Sequence, residues 1–251
     1  MRDTAVDWEK LAKDNAYWAV LTEDRFRDKL DDAALDAFFA SGEENVGGFL
    51  RLFSTTFPDV ASPFETVIDF GCGAGRLLIP MARLSGAAYG IDIAPTMREL
   101  AAENAERRGV GVECVDTPEA LVRRGVRADW VNSYIVLQHI EPRRGYFLIN
   151  DLLQCVKPGG FATLHIPVFK TSDRTDYLND RVRYFRNDSY YSETVYIDRD
   201  KYDHPDIQMF DYDANTVLAL FHKNEMTDVR IVHDGASTGI HAYFFVGRRG
   251  R

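Results

Sequence analysis

The stretch Val67-Ile68-Asp69-Phe70-Gly71-Cys72-Gly73-Ala74-Gly75-Arg76 decides the fold. A short apolar run, Thr66–Phe70, stopped by glycines reads as a strand entering a turn, and Leu77–Leu84 continues as a helix. Glycines in a turn after a strand let a ligand approach bare backbone. Asp92 ends the next strand, 21 residues after Gly71. That is where a carboxylate in a nucleotide-binding half-fold accepts ribose hydroxyls. Spacing then separates cofactor classes. A dinucleotide fingerprint, G-x-G-x-x-G, needs its third glycine where Arg76 stands, and no Tyr-x-x-x-Lys pair occurs in the chain. Both facts argue against a nicotinamide-dependent oxidoreductase, and no G-x-x-x-x-G-K-[ST] phosphate loop is present.

Downstream of the loop, strands and amphipathic helices alternate. Ala87–Ile93 is a strand, and Pro95 opens a helix over 95–108. Val110–Val115 and Trp130–Val136 are further strands. Pro142 starts a helix that reaches Val156, Lys157-Pro158-Gly159-Gly160 is a turn, and Phe161–Ile166 is a fifth strand. Such alternation demands a parallel sheet with helices on both faces. Near the end, 214–224 is helical, and 228–233 and 240–247 form a strand pair close enough for a hairpin. One of the two would then be antiparallel at the sheet edge. Upstream, two apolar sets (Ala34, Leu35, Phe38, Phe39, then Val46, Phe49, Leu50, Phe53) flank Gly42 and read as helices laid over the core. We therefore read one domain: a helical cover (1–60), a cofactor-binding core (61–167), an insertion (171–213) and a C-terminal helix with a strand pair (214–251).

The 251 residues are 45% hydrophobic and 27% charged, the balance of a globular protein whose core needs no staples. Thirty Lys and Arg against 39 Asp and Glu leave a net charge of −9, which repels nucleic acid and anionic membranes. Three cysteines (Cys72, Cys114, Cys155), far apart in the chain and without a C-x-x-C pair, speak against disulfides or structural zinc. No leader-like or membrane-spanning apolar stretch is visible, so a cytoplasmic location is expected.

Val67 to Arg76, then Gly90-Ile91-Asp92-Ile93-Ala94-Pro95, then Leu137-Gln138-His139-Ile140, then Leu152 to Gly160 resemble successive motifs of the class I S-adenosylmethionine-dependent methyltransferases. The likeness runs from about 66 to 167 in order and spacing. It implies a Rossmann-like, mostly parallel seven-stranded α/β sheet with a reversed last strand. The cofactor would be S-adenosylmethionine, and the reaction methyl transfer to an oxygen or nitrogen of a small molecule, such as a sugar or natural-product intermediate. A looser similarity links the opening segment, with Tyr17-Trp18 and Phe38-Phe39, to bacterial small-molecule members. Carried over by position, Gly71, Gly73 and Gly75 would pass under the methionine moiety and Asp69 would help orient its ammonium. Asp92 would hold the ribose, with Ile93 and Met97 near the adenine. Asp116 would face the adenine amine, with Thr117 and Pro118 after it in place of the usual small residue. Asn132, Ser133 and Tyr134 end the fourth strand near the cofactor ammonium. A cofactor-binding partner protein without catalysis is the rival reading.

His139 follows the fourth strand on the substrate rim, so it is the candidate base or acceptor-orienting group. His165 and His204 are lesser candidates. Cys72 reads as a space-filler. Residues 171–213 hold seven of the twelve tyrosines and eleven acids against six bases. Those features fit an acceptor lid for a cationic ligand, or a small satellite core. The acids Asp198, Asp200, Asp203, Asp206, Asp211 and Asp213 read as a solvated loop, and no metal is expected. Subunit number stays open.

Overall fold

Short apolar strands that alternate with one-faced helices can hide both only by layering, and the main sheet is built that way. The computed structural model describes residues 4–27, 29–60, 62–170, 182–187, 192–197, 210–234 and 240–251. Its strands are β1 (Phe64–Phe70), β2 (Ser85–Ile91), β3 (Glu113–Val115), β4 (Ala128–Ser133), β5 (Val156–Lys170), β6 (Val182–Asn187), β7 (Ser192–Ile197), β8 (Met226–His233) and β9 (Ile240–Arg249). Seven of them form one sheet in the order β3-β2-β1-β4-β5-β9-β8. β9 runs antiparallel to both β5 and β8. The reversed strand expected at the edge is thus an inner strand, and β8 takes the edge. Packing divides the chain into two compact units, Met1–Trp130 and Val131–Arg251.

The first unit holds α1 (Thr4–Val20), α2 (Asp32–Thr56), α3 (Leu78–Arg83), α4 (Pro95–Arg107) and α5 (Pro118–Arg123). β1 and β2 pair in parallel, with Asp69 opposite Gly90. The Asp31 carboxylate accepts from Ala34 N–H at 2.8 Å and caps α2. That helix continues through Gly42, where the sequence suggested two helices. Glycine is needed there for contact, because a Cβ would lie 2.0 Å from the Arg76 carbonyl oxygen. Further along α2, Phe49 and Phe53 pack edge-on against the buried Trp130 ring at 6.4 and 4.9 Å.

The second unit holds α6 (Pro142–Gln154) and α7 (Ala214–Lys223). Asp213 caps α7 by accepting from Thr216 N–H at 2.7 Å. Asp211 is buried. Tyr212 is 1% exposed and donates its hydroxyl to the Ile140 carbonyl at 2.8 Å. Its ring fills the space a Cβ at Gly145 would need. Three residues expected in the acidic insertion therefore belong to the core or to a helix cap. Of the rest, β6 and β7 pair as an antiparallel hairpin. His204, Asp198, Asp200, Asp203 and Asp206, with the rest of 171–181, 188–191 and 198–209, lie outside the described residues. No described helix is long and apolar enough to cross a membrane. Among the described residues, no group of three or more His, Cys, Asp or Glu is arranged to hold a metal ion.

Candidate functional site

In the first unit the loop between β1 and α3 bends at Gly71, Gly73 and Gly75, with φ of 73°, 51° and 89°. A side chain at such φ is strained, so glycine is the residue that makes this turn. Gly71 N–H and Cys72 N–H both donate to the Ile91 carbonyl, at 2.7 and 3.0 Å, tying the loop to the end of β2. Asp92 stands just beyond. Its Oδ2 accepts from Gly73 N–H at 3.0 Å and its Oδ1 from Ala94 N–H at 2.9 Å. Burial pushes the Asp92 carboxyl above its ordinary range, opposed by those two backbone hydrogen bonds and by Arg98. Arg98 donates to the Asp92 and Ile93 carbonyls at 2.7 and 3.2 Å. Each carboxylate oxygen has a second lone pair. An ionised acid with acceptor capacity to spare, beside a loop of bare backbone, fits the hydroxyls of a ribose.

Asp69 is buried on β1. Asp116 is exposed and Thr117, at the start of α5, donates its hydroxyl to it at a long 3.4 Å. Met97 is 2% exposed and packs with Ala12, Ala19 and Ala94, so α1 covers it. Sequence reading missed that α1 does more. Glu9 accepts from Thr96 N–H at 3.1 Å and from its hydroxyl at 2.8 Å, capping a helix whose own N-cap, Ala94, has no side-chain bond to offer. Tyr17 donates to Asn104 Oδ1 at 3.2 Å, and the Asn104 amide donates to the Ala74 carbonyl at 2.9 Å. Val20 fills the space a Cβ at Gly73 would need. Three contacts thus press α1 onto α4 and the glycine loop.

In the second unit Ser133 is buried at the end of β4 and Tyr134 is half-buried after it. Ile135 follows with φ 60° and 37% exposure. A β-branched residue held left-handed and exposed is strained, a feature that clusters at working sites. His139 closes a short turn, Leu137–His139, with its Nε2 3.0 Å from the Gln138 amide nitrogen. On β5, His165 is 4% exposed, and its Nε2 lies 3.1 Å from Oδ2 of Asp234.

A family model described as a methyltransferase domain matches residues 67–160. The ubiquinone biosynthesis O-methyltransferase of Chelativorans sp. (strain BNC1) is 35% identical over 106 residues, 41% of each chain. The chain thus spans about two fifths of the length of the curated relatives it matches. Magnesium protoporphyrin IX methyltransferase from Synechocystis PCC 6803, solved with bound S-adenosylhomocysteine, has a TM-score of 0.63 at 14% identity, over 99% of this chain and all (100%) of that one. An N-methyltransferase from Bradyrhizobium japonicum WM9, also bound to S-adenosylhomocysteine, reaches 0.60 at 14% identity over 100% of both chains. Residues 67–160 thus carry the likeness to a methyltransferase domain, and the fold around them is shared with these two solved structures.

The cysteines differ from expectation in one respect. Cys72 and Cys114, distant in sequence, share a side-chain hydrogen bond under Gly90. That hydrogen bond, with burial, raises the Cys72 thiol well above its usual range, so Cys72 stays an inert filler. The pairing follows from strand order, which brings β3 beside β2 and sets Cys114 opposite Gly90.

Proposed function

We propose that this methyltransferase transfers the methyl group of S-adenosylmethionine to an oxygen or nitrogen of a small molecule, in a reducing cytoplasm where Cys72, Cys114 and Cys155 stay free thiols. One observation carries the reading. The Asp92 carboxylate reaches back across the chain to the Gly73 N–H, which supports a single ligand shared by the acid and the glycine loop. Bound S-adenosylmethionine would supply a methyl already activated on a sulfonium. The protein's own work is to bind, align and shield.

Gly71, Gly73 and Gly75 present bare backbone to the methionine part, and buried Asp69 helps orient its ammonium. Asp92 holds the ribose. Ile93 and Met97 bound the adenine side, where Asp116 and Thr117 receive its amine; Ser133 and Tyr134 are the further candidates that the resemblance implies. His139, with its Nε2 engaged by Gln138, orients the acceptor. The segment 1–60 serves as a cover, as the clasp of α1 on α4 supports. The printed names of the relatives, an O-methyltransferase of ubiquinone biosynthesis among them, support a small-molecule acceptor, as does a net charge of −9 that disfavours nucleic acid.

Titration calorimetry with S-adenosylhomocysteine tests the reading, followed by transfer from methyl-labelled S-adenosylmethionine to a panel of hydroxyl and amine metabolites. Saturable one-to-one binding and labelled product are expected. Absence of binding would overturn the proposal, and binding without any transfer across the panel would favour the non-catalytic alternative.

A further inference from the structure

We infer that Cys72 and Cys114 are an oxidation site: peroxide joins them in a disulfide that distorts the glycine loop, and a thiol reductant reopens it. The loss of cofactor binding that should follow rests on the methyltransferase reading above, whereas the disulfide itself does not.

Strand register brings the two sulfurs together. Cys114 on β3 stands opposite Gly90 on β2, so its side chain leaves the sheet on the face where Gly90 would carry a Cβ. Cys72 arrives from the other side. The loop after β1 turns towards β2, and Gly71 N–H and Cys72 N–H both donate to the Ile91 carbonyl. A Cβ at Gly90 would lie 2.8 Å from the Cys72 sulfur and 3.1 Å from the Cys114 sulfur. Glycine thus opens one slot and both thiols occupy it, with Leu78 of α3 packed against the same point at 2.7 Å. All of these residues lie in the first unit.

The two thiols are unlike. Cys72 is 3% exposed, whereas Cys114 is half-buried on an edge strand, where a small oxidant reaches it. Their hydrogen bond has a direction: the Cys72 S–H donates and the Cys114 sulfur accepts. That bond raises the Cys72 thiol and lowers the Cys114 thiol. The Arg98 charge also lowers Cys114, against burial and the carboxylates of Asp92 and Asp69. Cys114 is therefore the thiol with thiolate character. Cys72, inert by itself, touches it as the resolving partner.

The chemistry takes two steps. The Cys114 sulfur attacks one oxygen of hydrogen peroxide, the O–O bond breaks, and the departing hydroxide takes the thiol proton as water. Cys114 is left as a sulfenic acid. The Cys72 sulfur then attacks that sulfur, the S–O bond breaks, and the second hydroxide leaves with the Cys72 proton as water. The two sulfurs lose two electrons and the peroxide gains them. A disulfide holds its sulfurs at about 2.05 Å, well inside hydrogen-bond contact. Closing that gap moves Cys72, because Cys114 is held in the β2–β3 ladder. Gly71 and Gly73 move with it, and so does the Gly73 N–H that the Asp92 carboxylate accepts.

The test treats the full wild-type chain with hydrogen peroxide and maps its disulfides by peptide mass spectrometry without reduction. A linked peptide pair holding Cys72 and Cys114, absent after dithiothreitol, is expected. Calorimetry on the oxidised chain should show S-adenosylhomocysteine affinity lower by roughly tenfold or more, the worth of one charge-assisted hydrogen bond, with recovery in dithiothreitol. C114S and C72A should each bind alike before and after peroxide, while C155S should respond as the wild type does. The mapping needs no variant, so a variant that fails to fold leaves it intact. A chain without the Cys72–Cys114 link, or one linked through Cys155 instead, overturns the inference. So does a linked chain that binds as before. A loss of affinity that persists in C114S or resists dithiothreitol, the mark of methionine oxidation, overturns it too. If the reduced wild type binds no S-adenosylhomocysteine, the methyltransferase reading falls, and the peptide map still decides the disulfide.

Discussion

Asp92 has two tasks. It holds the glycine loop through Gly73 N–H and, on our reading, the ribose through its remaining lone pairs. Charge-assisted hydrogen bonds are worth about 1.5–3 kcal/mol each, so Asp92→Ala should weaken S-adenosylhomocysteine binding by at least tenfold in calorimetry. Asp92→Asn should fall between the two, because its amide keeps one acceptor. The pH dependence has a definite sign. Burial raises the Asp92 carboxyl, so the folded chain binds this proton more tightly than the unfolded chain. Its contribution to stability is full below the unfolded value and is lost as pH rises through the folded one. Ribose hydroxyls donate to the ionised form, so affinity should climb over that same window, with a proton released on binding. Calorimetry in buffers of differing ionisation enthalpy reads that proton directly. At this scale the glycines and Asp92 were legible because a short motif with its own punctuation carries its local geometry with it. His165 and Asp234 were not read as a pair, nor Cys72 and Cys114, because only strand order brings those residues together.

Among the elements, α2 offers a controlled comparison within one helix. Gly42→Ala would drive a methyl into the Arg76 carbonyl and should cost about 1–3 kcal/mol. Gly48→Ala meets only the flexible tip of Arg51 at 3.8 Å and should add about 0.5–1 kcal/mol through helix propensity. Urea unfolding of the two variants reads the opposite signs, and equal effects would refute the contact. The same glycine explains why α2 looked like two helices in the sequence. Gly42 was read as a break, and its real cause, the Arg76 backbone, lies in another element. The clasp of α1 on α4 has a pH dependence opposite to that of Asp92. The Thr96 hydroxyl, then its N–H and Lys13, hold the Glu9 carboxyl below its ordinary range, against a smaller opposing effect of burial. Its stabilisation is present above the unfolded value and is lost as pH falls through the folded one. Hydrogen exchange of α1 should accelerate in that acid window in the wild type, whereas Glu9→Gln should show little pH response there.

At the level of the whole molecule, the mostly parallel sheet was legible from strand and helix alternation, and the reversed strand from the closeness of the last two. The position of that strand was not. Alternation reports which strands exist, whereas placing β9 between β5 and β8 depends on side-chain fit over a long distance, such as Phe221 of α7 filling the space above Gly247. This placement sets the order of manufacture against the order of assembly. Residues 240–249 leave the ribosome after every other described strand, yet they pair on both sides. A nascent chain that has reached Asp234 has made β5 and β8 but not the strand that joins them. It exposes an open, apolar strand edge of the kind that invites pairing with other chains. A chain stopped after Asp234 should accordingly sediment with aggregates or chaperones, while the chain extended through Arg251 stays in the supernatant. Translation of β9 thus acts as the release check on the second unit, and a message cut short before it would yield a polypeptide that cells can recognise by its bare edge.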